Sequence, residues 1–231
     1  MTSSNGQQWS SEVDLGKNTD LDCVSFGKGV FIAGGGVISA QPGGQFWSSP
    51  DGVSWTPIQT QNNIYSLKGI TYGNSLFVAV DGSGAIMTSP DGNVWTVQKP
   101  SQGGSLTSMY VLSGVCYGNN TFVAVGGSGT VNTASFNNGV ILTSNDGVNW
   151  NTQPSGIQNL LTGAVYGNQT FVVVGCGGVI LTSKDGQTWT SQSSGTQDAF
   201  TQVVYGNGTF VVVGNNGVIV QSGAASQNSG Q

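Results

Sequence analysis

The sequence predicts an all-β protein built from five repeated units, and three observations support this. The string Ser-x-Asp-Gly-x-x-Trp occurs at 49–55, 89–95, 144–150 and 183–189, with a variant at 3–9 that has Asn in the Asp place. A second string, Tyr-Gly-Asn-x-x-Phe-Val, recurs in phase with the first, with a degenerate copy at 26–32. Short apolar runs separated by glycine-rich turns, without a helical period, are typical of β-strands. A self-similar period of this size indicates units that stack on one another.

One unit, at residues 161–192, shows how its four strands are recognised. Strand A (161–166) ends at a Gly-Asn turn, and strand B (171–174) is β-branched and aromatic. Strand C (179–181) is apolar at successive positions, which predicts burial on both faces. Strand D (188–192) is polar, as expected of an outer edge strand.

Four-stranded units repeated around an axis describe a β-propeller, whereas the coils of the alternative, a parallel β-helix, are shorter than these units. The fifth unit has strands A to C and stops without a Trp string, and residues 3–13 supply a Trp string and one strand. We therefore predict a five-bladed β-propeller of four-stranded antiparallel blades, with its ring closed by residues 3–13 as strand D of the last blade. It forms one domain, 1–222, and the polar tail 223–231 is expected to be disordered.

The Trp strings resemble the Asp-box repeats of bacterial neuraminidases, and the resemblance covers all five units, roughly residues 3–222. It implies a structural turn in which the Asp accepts backbone N–H groups and the Trp packs between blades. Asp boxes occur in hydrolases, lectins and assembly factors, so the resemblance does not specify a function. Sialidases of this fold use an arginine triad and a Tyr nucleophile. This chain has no arginine, so it is similar to a non-catalytic member.

The composition restricts the partners and the chemistry. The net charge is −5, only 6% of residues are charged, and the five basic residues are all lysines. This pattern argues against binding to nucleic acid or to anionic membranes, and no segment predicts membrane insertion. The chain has no histidine and a single glutamate, Glu12, so we predict no enzyme activity, no metal site and no cofactor.

The N-terminus lacks the charged and apolar regions of a Sec signal, so cytoplasmic synthesis is expected. The surface must consist of Ser, Thr, Asn, Gln and Gly rather than charged residues. Such surfaces are common in secreted adhesins and in phage or virus structural proteins. We therefore expect the protein on a virion or at an extracellular surface.

The B–C loops and the D–A connections share one face of this strand order, here called the loop face. All length variation falls there, at 34–45, 99–112 and 126–139, and variation on one face of a repeated scaffold favours binding. Candidate ligand-binding residues at the starts of strand A, in the third-blade insertion and in a polar ring near the axis are Tyr65, Tyr110, Asn159, Asp198, Phe136, Asp22 and Lys68. Ser113, Thr162 and Thr201 align with Asp22 and Lys68 in the ring.

Each candidate also has a structural interpretation. Tyr65 and Tyr110 could merely cover the ends of strand A, Phe136 could anchor its own loop, and Asp22 could pair with Lys68. Two functions follow. The first is a non-enzymatic recognition or adhesion module that binds a glycan or host-surface receptor through the loop face. The alternative is a purely structural phage or virus protein, a capsid decoration or tail component, whose loops contact neighbouring subunits.

Overall fold

The described residues form five antiparallel sheets. The computed structural model describes residues 2–3, 5–10, 15, 19–37, 43–59, 64–98, 108–130 and 138–223. The first sheet consists of β1 (Thr19–Gly27), β2 (Val30–Val37), β3 (Gly44–Ser49) and β4 (Thr56–Ile58). The second sheet consists of β5 (Leu67–Gly73), β6 (Leu76–Asp81), β7 (Ile86–Ser89) and β8 (Thr96–Gln98). The third sheet consists of β9 (Ser108–Gly118), β10 (Thr121–Thr130), β11 (Asn138–Ser144) and β12 (Asn151–Gln153). The fourth sheet consists of β13 (Leu161–Gly167), β14 (Thr170–Gly175), β15 (Ile180–Ser183) and β16 (Thr190–Gln192). The fifth is β17 (Phe200–Gly206), β18 (Thr209–Gly214), β19 (Ile219–Gln221).

The core lies between the sheets rather than within one of them. The first strands pack in series, β1 on β5, β5 on β9, β9 on β13 and β13 on β17, and an apolar cluster fills each of the four gaps between sheets. Ile141 and Leu142 of β11 are almost fully buried, which confirms the prediction that the third strand is covered on both faces. In the fifth sheet Ile219 is 70% exposed, because no described sheet packs on its outer side.

Each Ser-x-Asp-Gly-x-x-Trp segment, here called a boxed turn, is held by its own side chains. In the third sheet Asp146 accepts the N–H groups of Val148 and Asn149 at 2.9 and 2.8 Å. The Gly147 N–H donates to the Ser144 hydroxyl at 2.8 Å, and the Trp150 indole donates to the Gly147 carbonyl at 2.8 Å. Asp51, Asp91 and Asp185 accept the two matching N–H groups. The predicted structural role of these aspartates is confirmed.

These hydrogen bonds predict a pH dependence of stability. Backbone N–H groups of Ser54 and Val53 lower the pKa of Asp51 to about 2, and matching donors lower the pKa of Asp146. A carboxyl with a depressed folded-state pKa stabilises the fold above its unfolded pKa and loses that contribution as the pH falls through the folded value. We expect the Tm to fall between about pH 4 and pH 2. Asp146→Asn should show a smaller fall over that window, and parallel melting curves for variant and wild type would contradict this.

Three contacts repeat at the interfaces between sheets. In the first contact, a tyrosine ring of one sheet lies directly on a glycine of the preceding sheet, and a Cβ at that glycine would overlap the ring. The pairs are Tyr72 on Gly27, Tyr117 on Gly73, Tyr166 on Gly118 and Tyr205 on Gly167. The boxed-turn tryptophan packs back onto the preceding sheet, as where Trp95 stacks on Phe46 with ring centroids 4.0 Å apart. Asn74 donates to the Asn145 carbonyl, and Asn119 to that of Lys184, both at 3.3 Å.

The predicted closure of the ring by residues 3–13 is not shown. The N-terminal segment forms a boxed turn, since Asn5 accepts the N–H groups of Gln7 and Gln8 at 2.9 and 3.0 Å. It folds back on itself through the Ser10 N–H and the Thr2 carbonyl, 2.8 Å apart, and Trp9 is 61% exposed. Its described residues form no ladder with β19, and residues 4 and 11–14 lie outside the described part, as does the tail 224–231.

Candidate functional site

A β-bulge at one level of every sheet positions the polar ring. In each pairing of the first two strands one residue of the first strand is skipped, as between Leu21 and Cys23 or between Leu67 and Gly69. The skipped residues are the members of the predicted ring, namely Asp22, Lys68, Ser113, Thr162 and Thr201. A bulge leaves its extra residue outside the ladder and re-aims its side chain. The sheets therefore present five polar residues at one level.

Four of these residues line a cavity of about 800 Å³ that residues of all five sheets border. Asp22, Lys68, Ser113 and Thr162 are at its wall together with Gln202 of the fifth sheet. Glycines of three sheets also line it, and close approach explains them, because a Cβ at Gly69 would lie 3.1 Å from the Gly114 Cα. The cavity thus combines side-chain charges and hydroxyls with exposed backbone.

Asp22 and Lys68 form an ion pair between the first and second sheets. The Lys68 Nζ lies 2.7 Å from Asp22 Oδ2, and the Ser66 hydroxyl donates to the same oxygen at 3.0 Å. The side chains are 35% and 42% exposed, so solvent screening limits the pair to about 0–1 kcal/mol of stability. Among the described residues Asp22 Oδ1 has no donor, and the ammonium group has only the Asp22 partner. Both groups can therefore still bond a ligand.

Thr162 has a structural role at this level. Its hydroxyl lies 2.8 Å from the Phe200 carbonyl of the fifth sheet and 3.2 Å from the Val174 carbonyl of its own sheet. Thr201 donates to Val213 at 3.3 Å, within the fifth sheet. The ring therefore has a charged half, at the first and second sheets, and a half whose hydroxyls bond backbone carbonyls.

Tyr65 and Tyr110 align in the sequence, but their surroundings in the structure differ. Tyr65 is 45% exposed before β5, with its N–H bonded to Asp81 Oδ2 at 3.1 Å. Tyr110 lies within β9, opposite Ser128, and packs against the cluster between the second and third sheets. This burial supports the interpretation that Tyr110 covers the strand end. Phe136 lies outside the described residues.

Asn159 and Asp198 lie at the starts of the fourth and fifth sheets. Asp198 accepts the Asn216 amide at 2.8 Å and the Thr196 hydroxyl at 2.9 Å, and these bonds lower the pKa of its carboxyl. Its carbonyl accepts the Gly178 N–H of the fourth sheet at 2.9 Å. Asn159 is exposed beside Gly177. Of the seven predicted site residues, only Asp22 and Lys68 are brought into direct side-chain contact among the described residues.

Sequence reasoning missed the structural role of Asp81 and the glycines opposite the bulges. A Cβ at Gly35, Gly126, Gly175 or Gly214 would collide with a carbonyl in or just before the bulged strand, so a glycine in the second strand opposite the bulge was the available signal. The second sheet has Asp81 there, fully buried. Its carboxylate accepts the N–H groups of Ser83 and Ala85 at 2.8 and 2.9 Å, and that of Tyr65. Asp81 thereby holds the exposed tyrosine in place.

The two most buried cysteines of the described residues are not activated thiols. Burial raises the pKa of the Cys23 and Cys116 thiols to about 12, so both are protonated at neutral pH and poor nucleophiles. No three His, Cys, Asp or Glu side chains of the described part are grouped so that they could hold a metal ion. That part also contains no helix of the length and hydropathy needed to cross a bilayer. The arrangement can bind a ligand through hydrogen bonds and one exposed ion pair.

Neither a protein-family model nor a curated protein matches the sequence. Among solved structures, YCF48 bound to D1 peptide is similar, with a TM-score of 0.64 and 17% identity, over 96% of this chain and 70% of that chain. So is a catalytically inactive virginiamycin B lyase from Staphylococcus aureus with quinupristin, with a TM-score of 0.66 and 14% identity, over 90% and 71%. A nidogen/laminin complex matches with a TM-score of 0.60 and 17% identity, over 84% and 72%.

The fold is that of a β-propeller. Identities this low show the fold alone, and membership of the Asp-box family is not shown by them. The five sheets fit a propeller, although a closed ring is not present in the described structure. Neighbours of this fold include peptide and protein binders as well as an enzyme. The similarity therefore shows the fold, and function has to be argued from this chain's own residues.

Proposed function

We propose that this protein is a non-enzymatic recognition module that binds a glycan or another host-surface ligand through its loop face. The observation that carries the proposal is the set of five bulges at one level of the sheets, four of which present a polar residue at the wall of the cavity. Asp22 and Lys68 supply an acceptor and donors there, and Tyr65 supplies an exposed ring at the start of β5. A flat apolar face beside hydrogen-bonding groups is suited to a sugar.

We further propose that residues 3–13 complete the fifth sheet as its fourth strand and so close a five-bladed ring. The edge of β19 is unpaired among the described residues, and the N-terminal segment already carries the boxed turn that the fifth sheet lacks. An unpaired strand edge is a ready template for another strand. The protein would act at a virion or extracellular surface, with a glycan, a receptor or a neighbouring subunit as its partner.

The alternative is a purely structural phage or virus protein whose loops contact neighbouring subunits. The structural neighbours in complex with a peptide or with another protein favour a protein partner in general. A protein partner on the loop face would contact the same exposed groups. The two functions therefore differ in which partner binds and not in where it binds.

Substituting Tyr65 should weaken binding without unfolding the protein. On a glycan array, Tyr65→Ala is expected to lose about 2 kcal/mol of the wild-type affinity, roughly 30-fold, because aromatic anchors dominate such contacts. The side chain is 45% exposed and its N–H bond to Asp81 does not depend on the ring. Affinity should change little with salt, because few charges contribute. Val94→Ala, in a boxed turn on the opposite face, is the control and should bind as the wild type does.

The charged half of the ring has a separate test. Asp22→Asn combined with Lys68→Met removes both charges with little change in volume and should also weaken binding. Unchanged affinity in a folded Tyr65→Ala variant would remove Tyr65 from the site. A wild type that binds no glycan but packs its loops against another subunit would establish the structural alternative.

A further inference from the structure

One kind of turn carries the acceptor sequence for N-linked sugars in three consecutive sheets. The string Asn-x-Thr occurs at 119–121, 168–170 and 207–209 and nowhere else in the sequence, and no Asn-x-Ser string occurs. Each copy begins at the two-residue turn between the first and second strands of its sheet, in the third, fourth and fifth sheets. Asn-x-Ser or Asn-x-Thr without a central proline is the sequence to which sugars are attached in surface loops. The repeat therefore places one acceptor sequence at the same point of each of these sheets.

The three asparagines of these turns are open to solvent. Asn119, Asn168 and Asn207 are exposed, and their φ angles of 45°, 44° and 48° place them in the left-handed region of a tight turn. The Asn119 amide donates one hydrogen bond, 3.3 Å long, to the Lys184 carbonyl. Because an amide nitrogen carries two hydrogens, one can be replaced while the other keeps this bond. A modifying enzyme can therefore reach the side-chain nitrogen in each turn.

The fold of the turn does not require the threonine. The second sheet has the same turn, with Asn74 at a φ of 47° and its amide bonded to the next boxed turn, but Leu76 stands in the Thr place. Leu76 Cδ2 covers Gly147 of that boxed turn, 2.7 Å from the place of a Cβ. Thr121 Cγ2 covers Gly186 in the same way, at 3.5 Å. A methyl group is therefore what the packing needs, and the Thr121 hydroxyl bonds only within the acceptor sequence, to the carbonyl two residues earlier at 3.2 Å.

The three turns lie at the opposite end of the strands from the bulged residues. Asn74 and Asn119 bond the backbone of boxed turns, at Asn145 and Lys184, so these turns and the boxed turns share one face, here called the boxed-turn face. Only 6% of residues are charged, so few charges keep this surface soluble. Attached sugars are bulky and solubilising, and on this face they leave the loop face free.

We propose that Asn119, Asn168 and Asn207 are N-glycosylation sites and that their sugars cover the boxed-turn face of the third, fourth and fifth sheets. The donor is a sugar activated through a pyrophosphate that is linked to a nucleoside or to a lipid. The asparagine nitrogen forms a bond to the anomeric carbon of the sugar, and the bond between that carbon and the phosphate oxygen breaks. The pyrophosphate group leaves with the electron pair, and the amide gives up one proton to a base of the modifying enzyme.

The mass of the full-length protein from its native source is the first test. Intact mass spectrometry should find the protein heavier than its sequence by attached sugar. Peptide mapping should place the sugar on Asn119, Asn168 and Asn207 and leave Asn74 unmodified, since Asn74 has the same turn without the threonine. A mass equal to that of the sequence would overturn the proposal.

Two reconstitutions identify the donor. In the first, the purified folded protein is incubated with UDP-glucose and a soluble N-glycosyltransferase that recognises Asn-x-Thr. In the second, the chain is secreted from a eukaryotic cell, where the sugar comes from a lipid pyrophosphate. Modification in the first experiment supports a nucleoside-linked donor, and modification in the second alone supports a lipid-linked one. If neither modifies the protein, while a free peptide of residues 203–211 is modified in the first, the turns are closed to the enzyme and the proposal fails.

Point variants separate the acceptor sequence from the exposure of the turns. Thr121→Val, Thr170→Val and Thr209→Val keep the side-chain shape and the asparagine, and each should lose the sugar of its own turn only. Leu76→Thr gives the second sheet a fourth acceptor sequence, so Asn74 should become modified. Sugar that persists in the three Val variants, or a Leu76→Thr protein that melts near the wild type and stays unmodified, would contradict the assignment. The three Val substitutions combined should leave ligand binding at the loop face unchanged, so failure here is distinct from failure of the proposed recognition function.

Discussion

Trp150→Ala is expected to lower the free energy of unfolding by about 3–5 kcal/mol, a typical loss for truncating a large core side chain. Trp150 is 1% exposed and packs in the cluster between the second and third sheets with Val78, Ile86 and Phe122. Its indole also donates to the Gly147 carbonyl at 2.8 Å. Truncation leaves a cavity between two sheets, and the sheets cannot readily move together to fill it because their other contacts hold them apart. Chemical denaturation at neutral pH measures the loss.

Two further variants in the same turn show whether that loss of stability comes from the buried indole of Trp150. Val148→Ala, at a side chain 43% exposed, should change stability by less than about 0.5 kcal/mol. Trp150→Phe keeps most of the packing and removes the indole donor, so it should lie between Val148→Ala and Trp150→Ala. A loss below about 1 kcal/mol for Trp150→Ala would contradict the structural role of the boxed turns.

The strand order of this fold could be predicted from the sequence because each unit repeats its turns. The Gly-Asn signal of the fourth unit marks a tight turn, where Asn168 and Gln169 have φ of 44° and 54°. Asn tolerates the left-handed region better than most residues, so its recurrence fixes where strands A and B reverse. The observed β13 and β14, Leu161–Gly167 and Thr170–Gly175, differ from the prediction by one residue at their ends.

The bulges could not be predicted in the same way, because a bulge is a property of two paired strands and not of one residue pattern. Alignment of the units did place Asp22 and Lys68 at one level, and the ion pair confirms that they are neighbours. It could not show that both stand outside the ladder. In four of the sheets a glycine of the second strand opposite the bulge carries this information, since a Cβ there would collide with a backbone carbonyl, whereas the second sheet has Asp81 at this position.

Tyr65 and Tyr110 show a second limit of alignment. They hold the same position in their units, yet β5 begins at Leu67 while β9 begins at Ser108, so only Tyr110 lies inside a strand. The longer hairpin of the third sheet pairs Tyr110 with Ser128 and packs it on the core. The burial of an aligned residue therefore depends on how far its own hairpin extends, and an insertion in the sequence does not reveal that length.

Deleting residues 1–13 should abolish the single cooperative unfolding transition and promote aggregation. The deletion removes the one boxed turn that lies outside the first four sheets and leaves the β19 edge without its proposed strand. An unpaired edge beside exposed apolar side chains, here Val213 and Ile219, is a template for association between chains. Calorimetry and light scattering against the full-length protein measure both effects. Deleting the polar tail 224–231 is the matched control and should leave the melting transition unchanged.

A point substitution separates loss of the closing strand from loss of chain length. If the N-terminal boxed turn packs on the fourth sheet, as Trp189 packs on the third, Trp9→Ala should cost about 2 kcal/mol or more. If Trp9 stays 61% exposed in solution, the cost should be below about 0.5 kcal/mol. A small cost, together with a truncated protein that melts like the full-length chain, would show that the first thirteen residues do not complete the fifth sheet. A large cost in both experiments would establish the N-terminal segment as the strand that closes the ring.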